Sequence, residues 1–137
     1  MGLIDSIKNI FGSKNLYDSK DTIKASVKTS DDKLKEIFRF KMPDLSMSIL
    51  KVKMCAKRIG GSGNIGDHVI FEQGYMARNF PNNIYFGQCS SGYFLQQMPT
   101  YGIQAINEGS EAICKVQGAV GEEMIWNCEV EIETYKF

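Results

Sequence analysis

The stretch EAICKVQGAVGEEMIWNCEVEIE, residues 111–133, decides the fold class because its buried-type side chains alternate with polar ones. A repeat of two residues is the pattern of a β-strand that buries one face. The first half has this pattern at Ala112, Cys114, Val116 and Gly118. The second half has it at Met124, Trp126, Cys128, Val130 and Ile132. The stretch therefore predicts two strands.

We interpret these two strands as an antiparallel hairpin whose turn is centred on Gly121. In this register Cys114 lies opposite Cys128, so the buried face of one strand meets the buried face of the other. The two thiols are then cross-strand neighbours and could bond in an oxidising compartment if their geometry permits. In a reducing compartment they are two small core residues, which is the interpretation we favour.

The same alternation predicts further strands upstream. They cover residues 22–29, 48–58, 68–73, 84–86 and 93–95. The segment 34–40 is ambiguous, but Phe38 and Phe40 favour a strand there. Residues 74–83 are predicted to form a loop because Pro81, Asn82 and Asn83 are turn residues.

Pro99–Glu108 is predicted to form one short helix, with Gly109 as its C-terminal stop. The fold class is therefore mainly β, of the α+β type. We expect a small antiparallel β-barrel or strongly curved sheet, with an N-terminal amphipathic helix and this internal helix.

The N-terminal segment has the spacing of an amphipathic helix. Its apolar positions are Leu3, Ile4, Ile7, Ile10 and Phe11. Gly12 ends the helix, so the chain divides into a helix and linker at 1–20 and one β-rich domain at 21–137. A helix this short is unstable alone in water. We expect it to dock on the domain, a second copy, another protein or a membrane surface; the first six residues also match the myristoylation pattern.

The balance of charge limits the possible partners. The 137 residues include 16 Lys and Arg and 16 Asp and Glu, so the net charge is zero. This argues against a protein that binds nucleic acid by charge alone. No continuous apolar segment predicts a signal peptide or a membrane span, so a cytoplasmic location is expected.

The sequence predicts neither a metal nor another cofactor. Its four cysteines are far apart, none lies in a C-x-x-C, and there is a single histidine, His68. A zinc site would need an unusual assembly from distant thiols. We also expect no catalysis, because Asp67 and His68 point to opposite faces of a strand and Glu122-Glu123 lies at a predicted turn.

Residues 61–66, GSGNIG, match the G-x-G-x-x-G pattern of dinucleotide-binding proteins. That site also needs a helix directly after the glycines, because the helix N-terminus binds the pyrophosphate. Here the following residues, 67–72, are DHVIFE, a β-branched and aromatic run without helical period. We interpret the glycines as a connection between two antiparallel strands.

Binding residues are more prominent than catalytic ones. Eight of the fifteen aromatic residues fall between positions 71 and 101, directly after a lysine-rich strand. Aromatic and basic side chains on one surface are typical of single-stranded nucleic-acid binding. The predicted phosphate contacts are Lys57, Arg58 and Arg78, and the predicted stacking residues are Tyr75, Phe80 and Tyr93. The alternative is that these aromatics form the core.

From about residue 51 to 135 the order of elements resembles the HIRAN domain, a small β-barrel module. The stretch NNIYF at 82–86 stands where that family has N-A-I-x-V, and Ser91-Gly92-Tyr93 stands for its I-G-Y segment. Phe80 stands at the family's aspartate position. The resemblance implies binding of a single-stranded DNA 3′ end and adds Asn82 to the predicted site.

The sequence therefore supports two hypotheses. The first is a non-catalytic module that binds single-stranded nucleic acid through an aromatic and basic face. The alternative is a protein-interaction or assembly module that docks through the N-terminal helix and an edge strand. The acidic C-terminal strand and the zero net charge favour this alternative.

Overall fold

The computed structural model describes residues 16–62, 68–96 and 102–137, with the backbone alone described over 91–96. These residues form eight strands and, within the described ranges, no helix. The strands are β1 (Ser19–Thr29), β2 (Leu34–Lys41), β3 (Ser46–Gly61), β4 (His68–Phe80), β5 (Asn83–Gln96), β6 (Gly102–Glu108), β7 (Glu111–Gln117) and β8 (Glu122–Lys136).

The strands form two antiparallel sheets that pack face to face. The large sheet has the order β1-β8-β3-β4-β5, and the small sheet has the order β2-β7-β6. Alternate residues of both sheets point inward, and residues such as Leu50, Phe71, Val116 and Trp126 are fully buried between them. The fold is a β-sandwich, so the prediction of a barrel was wrong: within the described residues β1, β5, β2 and β6 remain sheet edges.

The internal helix was also wrong. Its predicted residues from Gly102 onward form β6, which pairs with β7 from Gly102–Gln117 to Glu108–Glu111. Ile103 and Ala105 pack against the core, so this segment follows the strand period. Gly109 has a φ of 56° and begins a two-residue hairpin turn instead of ending a helix. The predicted N-terminal helix lies outside the described residues.

The predicted alternation of buried residues in 111–133 is confirmed, but the predicted pairing of its two strands as a hairpin is wrong. Cys114 and Cys128 are both buried as predicted, yet β7 and β8 belong to different sheets. Residues 118–121 carry the chain across the sandwich, so the two buried faces meet across the core and not side by side. Both thiols are free. Burial raises the pKa of Cys114 to about 12 and that of Cys128 to about 11.

The predicted loop at 74–83 is mostly strand. β4 continues to Phe80, and only Pro81 and Asn82 form the turn to Asn83. Asn82 has a φ of 59°, and a proline followed by a residue of positive φ indicates a type II turn. β5 is one strand with two irregularities in its pairing to β4, where the sequence predicted two short strands.

Candidate functional site

Arg58 lies in the interior, not on the predicted binding face. Its side chain is 2% exposed, and its guanidinium forms an ion pair of 2.7 Å with Glu122. Neighbouring residues of a strand point to opposite faces, so Lys57 is exposed while Arg58 is buried. The alternation of β3 could have predicted this, because Arg58 continues the buried series of Val52, Met54 and Ala56.

Tyr75 is buried as well, so the expectation that it is an exposed loop residue was wrong. It is 4% exposed, its ring lies 5.7 Å from that of Phe86, and its hydroxyl donates to Gln73 Oε1 at 3.0 Å. Burial raises the pKa of the Tyr75 phenol above its ordinary value. Asn82 is exposed at the turn apex, and the side chain of Tyr93 is outside the described set.

Two outward lysines of β3, Lys51 and Lys53, have glutamates beside them on the neighbouring strands. Lys53 lies between Glu129 of β8 and Glu72 of β4, and Lys24 of β1 lies on the other side of Glu129. Lys51 forms an ion pair of 3.1 Å with Glu72. We call these five residues, Lys24, Lys51, Lys53, Glu72 and Glu129, the charge ladder. Sequence reasoning missed it because it paired the acidic strand β8 with β7, and not with β1 and β3.

Lys57 is also far from the remaining predicted residues. It pairs with His68, at the start of β4, whereas Arg78 lies ten residues further along that strand. A strand rises about 3.4 Å per residue, so the two cations are roughly 34 Å apart along β4. The structure therefore does not bring Lys57 and Arg78 into one surface.

Arg78 and Phe80 belong instead to an exposed apolar surface at one end of the large sheet. Its members lie on the outward face of β8, β3, β4 and β5, in the turn before β3 and directly after β8. We call this surface the end patch; it consists of Leu45, Met47, Ile49, Met76, Arg78, Phe80, Tyr85, Tyr135 and Phe137.

The register places these side chains in adjacent rows. Met47 lies between Tyr135 and Arg78, and Arg78 lies opposite Tyr85, so one row crosses four strands. In the next row Ile49 lies between Glu133 and Met76. These residues come from four separate stretches of the chain, so no local sequence pattern could show that they are neighbours.

Ring contacts organise the end patch. The ring of Phe80 lies 5.6 Å from that of Phe137, and the guanidinium carbon of Arg78 lies 5.3 Å from the centre of the Tyr85 ring. The Tyr85 phenol also lies over Gly87, where any Cβ would collide with it. The patch stays open to solvent: Phe137 is 74% exposed, Ile49 49% and Leu45 47%.

Two charged groups at the end patch, Arg78 and Glu133, have opposite signs, and neither forms an ion pair among the residues that the structure describes, although Lys20 of β1 lies opposite Glu133. Arg78 Nε is buried and lacks a hydrogen-bond partner there. On the other side of Met47 and Ile49, Glu133 accepts a bond of 3.3 Å from the Tyr135 hydroxyl. Partial desolvation, and then the Glu133 charge, raise the pKa of Tyr135.

A concave surface lies in the middle of the same sheet. It is an open groove of about 540 Å³ whose outward residues include Ser26, Cys55 and Asn127, beside the charge ladder. Within the described residues no cluster of three or more His, Cys, Asp and Glu side chains is placed to hold a metal ion. Nor does that part of the chain contain a helix long and apolar enough to cross a membrane.

The comparisons with known proteins concern the fold alone. No protein-family model and no curated protein matches the chain. Its structure is similar to the tailspike protein of Acinetobacter baumannii phage AM24, with a TM-score of 0.51 and 8% identity, over 84% of this chain and 26% of that one. The chain thus spans about a quarter of the tailspike. The resemblance to the HIRAN domain stays a prediction.

A second match is weaker. The tailspike protein of Acinetobacter baumannii bacteriophage Fri1, a capsular polysaccharide depolymerase, aligns with a TM-score of 0.40 and 12% identity. The alignment covers 82% of this chain and 17% of that one. A similarity at this level supports no statement about the present chain.

Proposed function

We propose that this protein is a non-catalytic protein-interaction module that docks through the end patch. The composition of the end patch carries the proposal. Apart from Leu45 and Ile49 it consists of Met, Arg and aromatic residues, and it contains no lysine, aspartate or serine. Protein interfaces are enriched in aromatic residues, Met and Arg and depleted of Lys, Glu and Asp at their centre. Contiguous apolar patches on a protein surface commonly mark interaction sites.

The charge ladder supports this proposal, because its matched charges differ from the apolar and aromatic composition of the end patch on the same face. Lys53 has a glutamate as its neighbour on both sides, so this region has little net charge with which to attract phosphate groups. A nucleic-acid site of the predicted kind would need unmatched cations along the strand. The end patch has one cation, Arg78, whereas its apolar and aromatic residues are numerous.

The fold similarity is compatible with an assembly role. In the phage AM24 tailspike the similar region is one part of a much longer chain. A similar fold therefore occurs as one part of a longer tailspike protein. The similarity shows the fold only, and the surface chemistry of the end patch remains the observation on which the proposal depends.

Site-specific photo-crosslinking in cells that express the protein tests the proposal. A photoreactive phenylalanine analogue replaces Ile49 in the end patch or, as the matched control, Ser26 on the same sheet. We expect discrete protein adducts from position 49 that Met47→Glu removes, and none from position 26. Equal adducts at both positions, or none at position 49, would contradict the proposal.

Single-stranded nucleic-acid binding is the second candidate, favoured by the proximity of Arg78 and Tyr85 to Phe80 and Asn82. Stacking on exposed aromatic rings contributes about 1–3 kcal/mol per base. Fluorescence anisotropy with a labelled 15-nucleotide single strand, repeated across salt concentrations, tests it. Micromolar binding that weakens with salt and is lost in Arg78→Ala with Tyr85→Ala would support this candidate, and no binding at low salt would reject it.

A further inference from the structure

We propose that the partner of the end patch is a second copy of this chain, in a symmetric dimer held by two identical Arg78–Glu133 ion pairs. This inference rests on the proposed function, since it names the protein that docks there. It starts from the two charged groups at the patch, which have opposite signs and form no ion pair within the described residues, although Lys20 of β1 lies opposite Glu133.

The two groups lie on opposite sides of the patch. Arg78 is on β4 and Glu133 is on β8, with β3 between these strands, and they are one row apart because Arg78 pairs with Met47 and Glu133 with Ile49. Strands lie about 4.8 Å apart and rows about 6.8 Å apart, so the two Cα atoms are separated by roughly 12 Å. Met47 and Ile49 occupy the space between them.

A two-fold axis in the interface can use this separation. If the axis crosses the line between Arg78 and Glu133 at its midpoint and at a right angle, it places Arg78 of one copy over Glu133 of the other. Symmetry then forms the same pair a second time. The axis passes beside Met47 and Ile49, so these apolar side chains meet their counterparts at the centre.

The state of both groups favours an ionic partner from outside the chain. Arg78 Nε is screened from solvent without a hydrogen bond, although its guanidinium lies over the Tyr85 ring. A buried donor without a partner is costly. Glu133 accepts one weak hydrogen bond of 3.3 Å, from Tyr135, and retains acceptor capacity. Contact with a second copy would satisfy both groups and cover the apolar residues between them.

The inference is tested by reversing the charge of Arg78 or of Glu133 and then mixing the two variants, which should restore dimer formation. Sedimentation equilibrium of the wild-type chain is expected to show twice its 15.4 kDa mass at micromolar concentration. Arg78→Glu and Glu133→Arg should each raise the dimer dissociation constant by about 100-fold or more, because each places like charges together twice. An equimolar mixture of the two variants should form a heterodimer within about tenfold of wild-type affinity, because both of its pairs are again opposite in sign.

The control is Glu131→Arg, which reverses a charge on the same face of β8 two residues before Glu133 and should leave the dimer unchanged. Circular dichroism of every variant checks that the sheets are intact. A wild-type chain that stays monomeric at 200 µM would overturn the inference, as would a dimer insensitive to both reversals. Adducts from position 49 to a different protein would then leave the proposed function standing and the second copy rejected.

Discussion

The charge ladder and the end patch lie on the same face of the same sheet, yet they show opposite chemistry. In the charge ladder Lys53 lies between Glu72 and Glu129, so it has a neighbour of opposite sign on both sides. In the end patch, Met47 and Ile49 separate two charges that form no ion pair in the described chain. The ladder is paired within one chain, whereas at the end patch Arg78 forms no ion pair in the described chain and Glu133 has only Lys20 of β1 opposite it.

The largest effect is expected for the buried ion pair between Arg58 of β3 and Glu122, which differs from the charge ladder because it lies inside the protein. Glu122→Ala would leave Arg58 charged and without its carboxylate in the interior. Breaking a buried ion pair from one side costs about 3–5 kcal/mol. We expect a loss of stability of that size in urea unfolding. The charge-free pair Arg58→Met with Glu122→Leu should recover most of it; a small effect of the single change would show that Arg58 reaches water.

A charge introduced into the end patch is expected to weaken partner binding while it leaves the stability of the fold nearly unchanged. Ile49→Asp places a charge among apolar side chains that are exposed in the single chain, so its unfolding free energy should change by about 0.5 kcal/mol or less. Binding of the partner should weaken by about 100-fold, since the hot-spot residues near the centre of an interface cost about 2 kcal/mol or more when they are changed. Thermal unfolding and sedimentation of the same sample measure both. Equal losses in the two would mean that Ile49 supports the fold.

Alkaline pH tests the contribution of the two thiols that are buried on the inner faces of the sheets. The ordinary thiol pKa is 9.0, and burial raises it to about 12 for Cys114 and about 11 for Cys128. The folded state therefore keeps its protons between pH 9 and pH 11, whereas the unfolded chain loses them.

Stability should thus be fully present below pH 9 and fall by up to about 1.4 kcal/mol per pH unit for each thiol above it. Urea unfolding at several pH values, compared with Cys114→Ala with Cys128→Ala, measures the thiol contribution. An identical pH slope in the two proteins would contradict this assignment.

The smallest effect is expected in the charge ladder itself. Lys51→Ala should cost less than about 1 kcal/mol, because the ion pair with Glu72 is partly exposed to solvent and pairs at the surface contribute little. A double-mutant cycle with Glu72→Ala in urea should give a coupling energy of about 0.2–1 kcal/mol that decreases at high salt. A coupling above 2 kcal/mol would mean that the ladder stabilises the fold and does more than neutralise the face.

Sequence reasoning recovered the local part of this structure. The alternation in β8 identified Trp126, Val130 and Ile132 as buried, and all three are. The same reasoning applied to β3 would have placed Arg58 inside, but its charge suggested a binding role. The failure at β6 is similar, because Pro99 and Gly109 resemble helix ends, whereas Ile103 and Ala105 have the period of a strand.

The candidate site was recovered only in part. Arg78, Phe80 and Asn82 lie at or beside the end patch, but Met47, Tyr135 and Phe137 were not among the predicted residues. Their proximity depends on the order β8-β3-β4-β5, which joins segments up to about ninety residues apart in the chain. Phe137 contacts Phe80 for this reason alone.

The sequence by itself determined which side of each strand is buried, because a period of two residues assigns apolar side chains to one face wherever the strand is placed. Only the tertiary structure decided which strands are neighbours. Cys114 and Cys128 could be buried equally well side by side in one sheet or facing each other between two sheets. Hydrophobic burial is non-directional, so it cannot choose between these pairings. The choice depends on how all eight strands pack together, and that choice also created the charge ladder and the end patch.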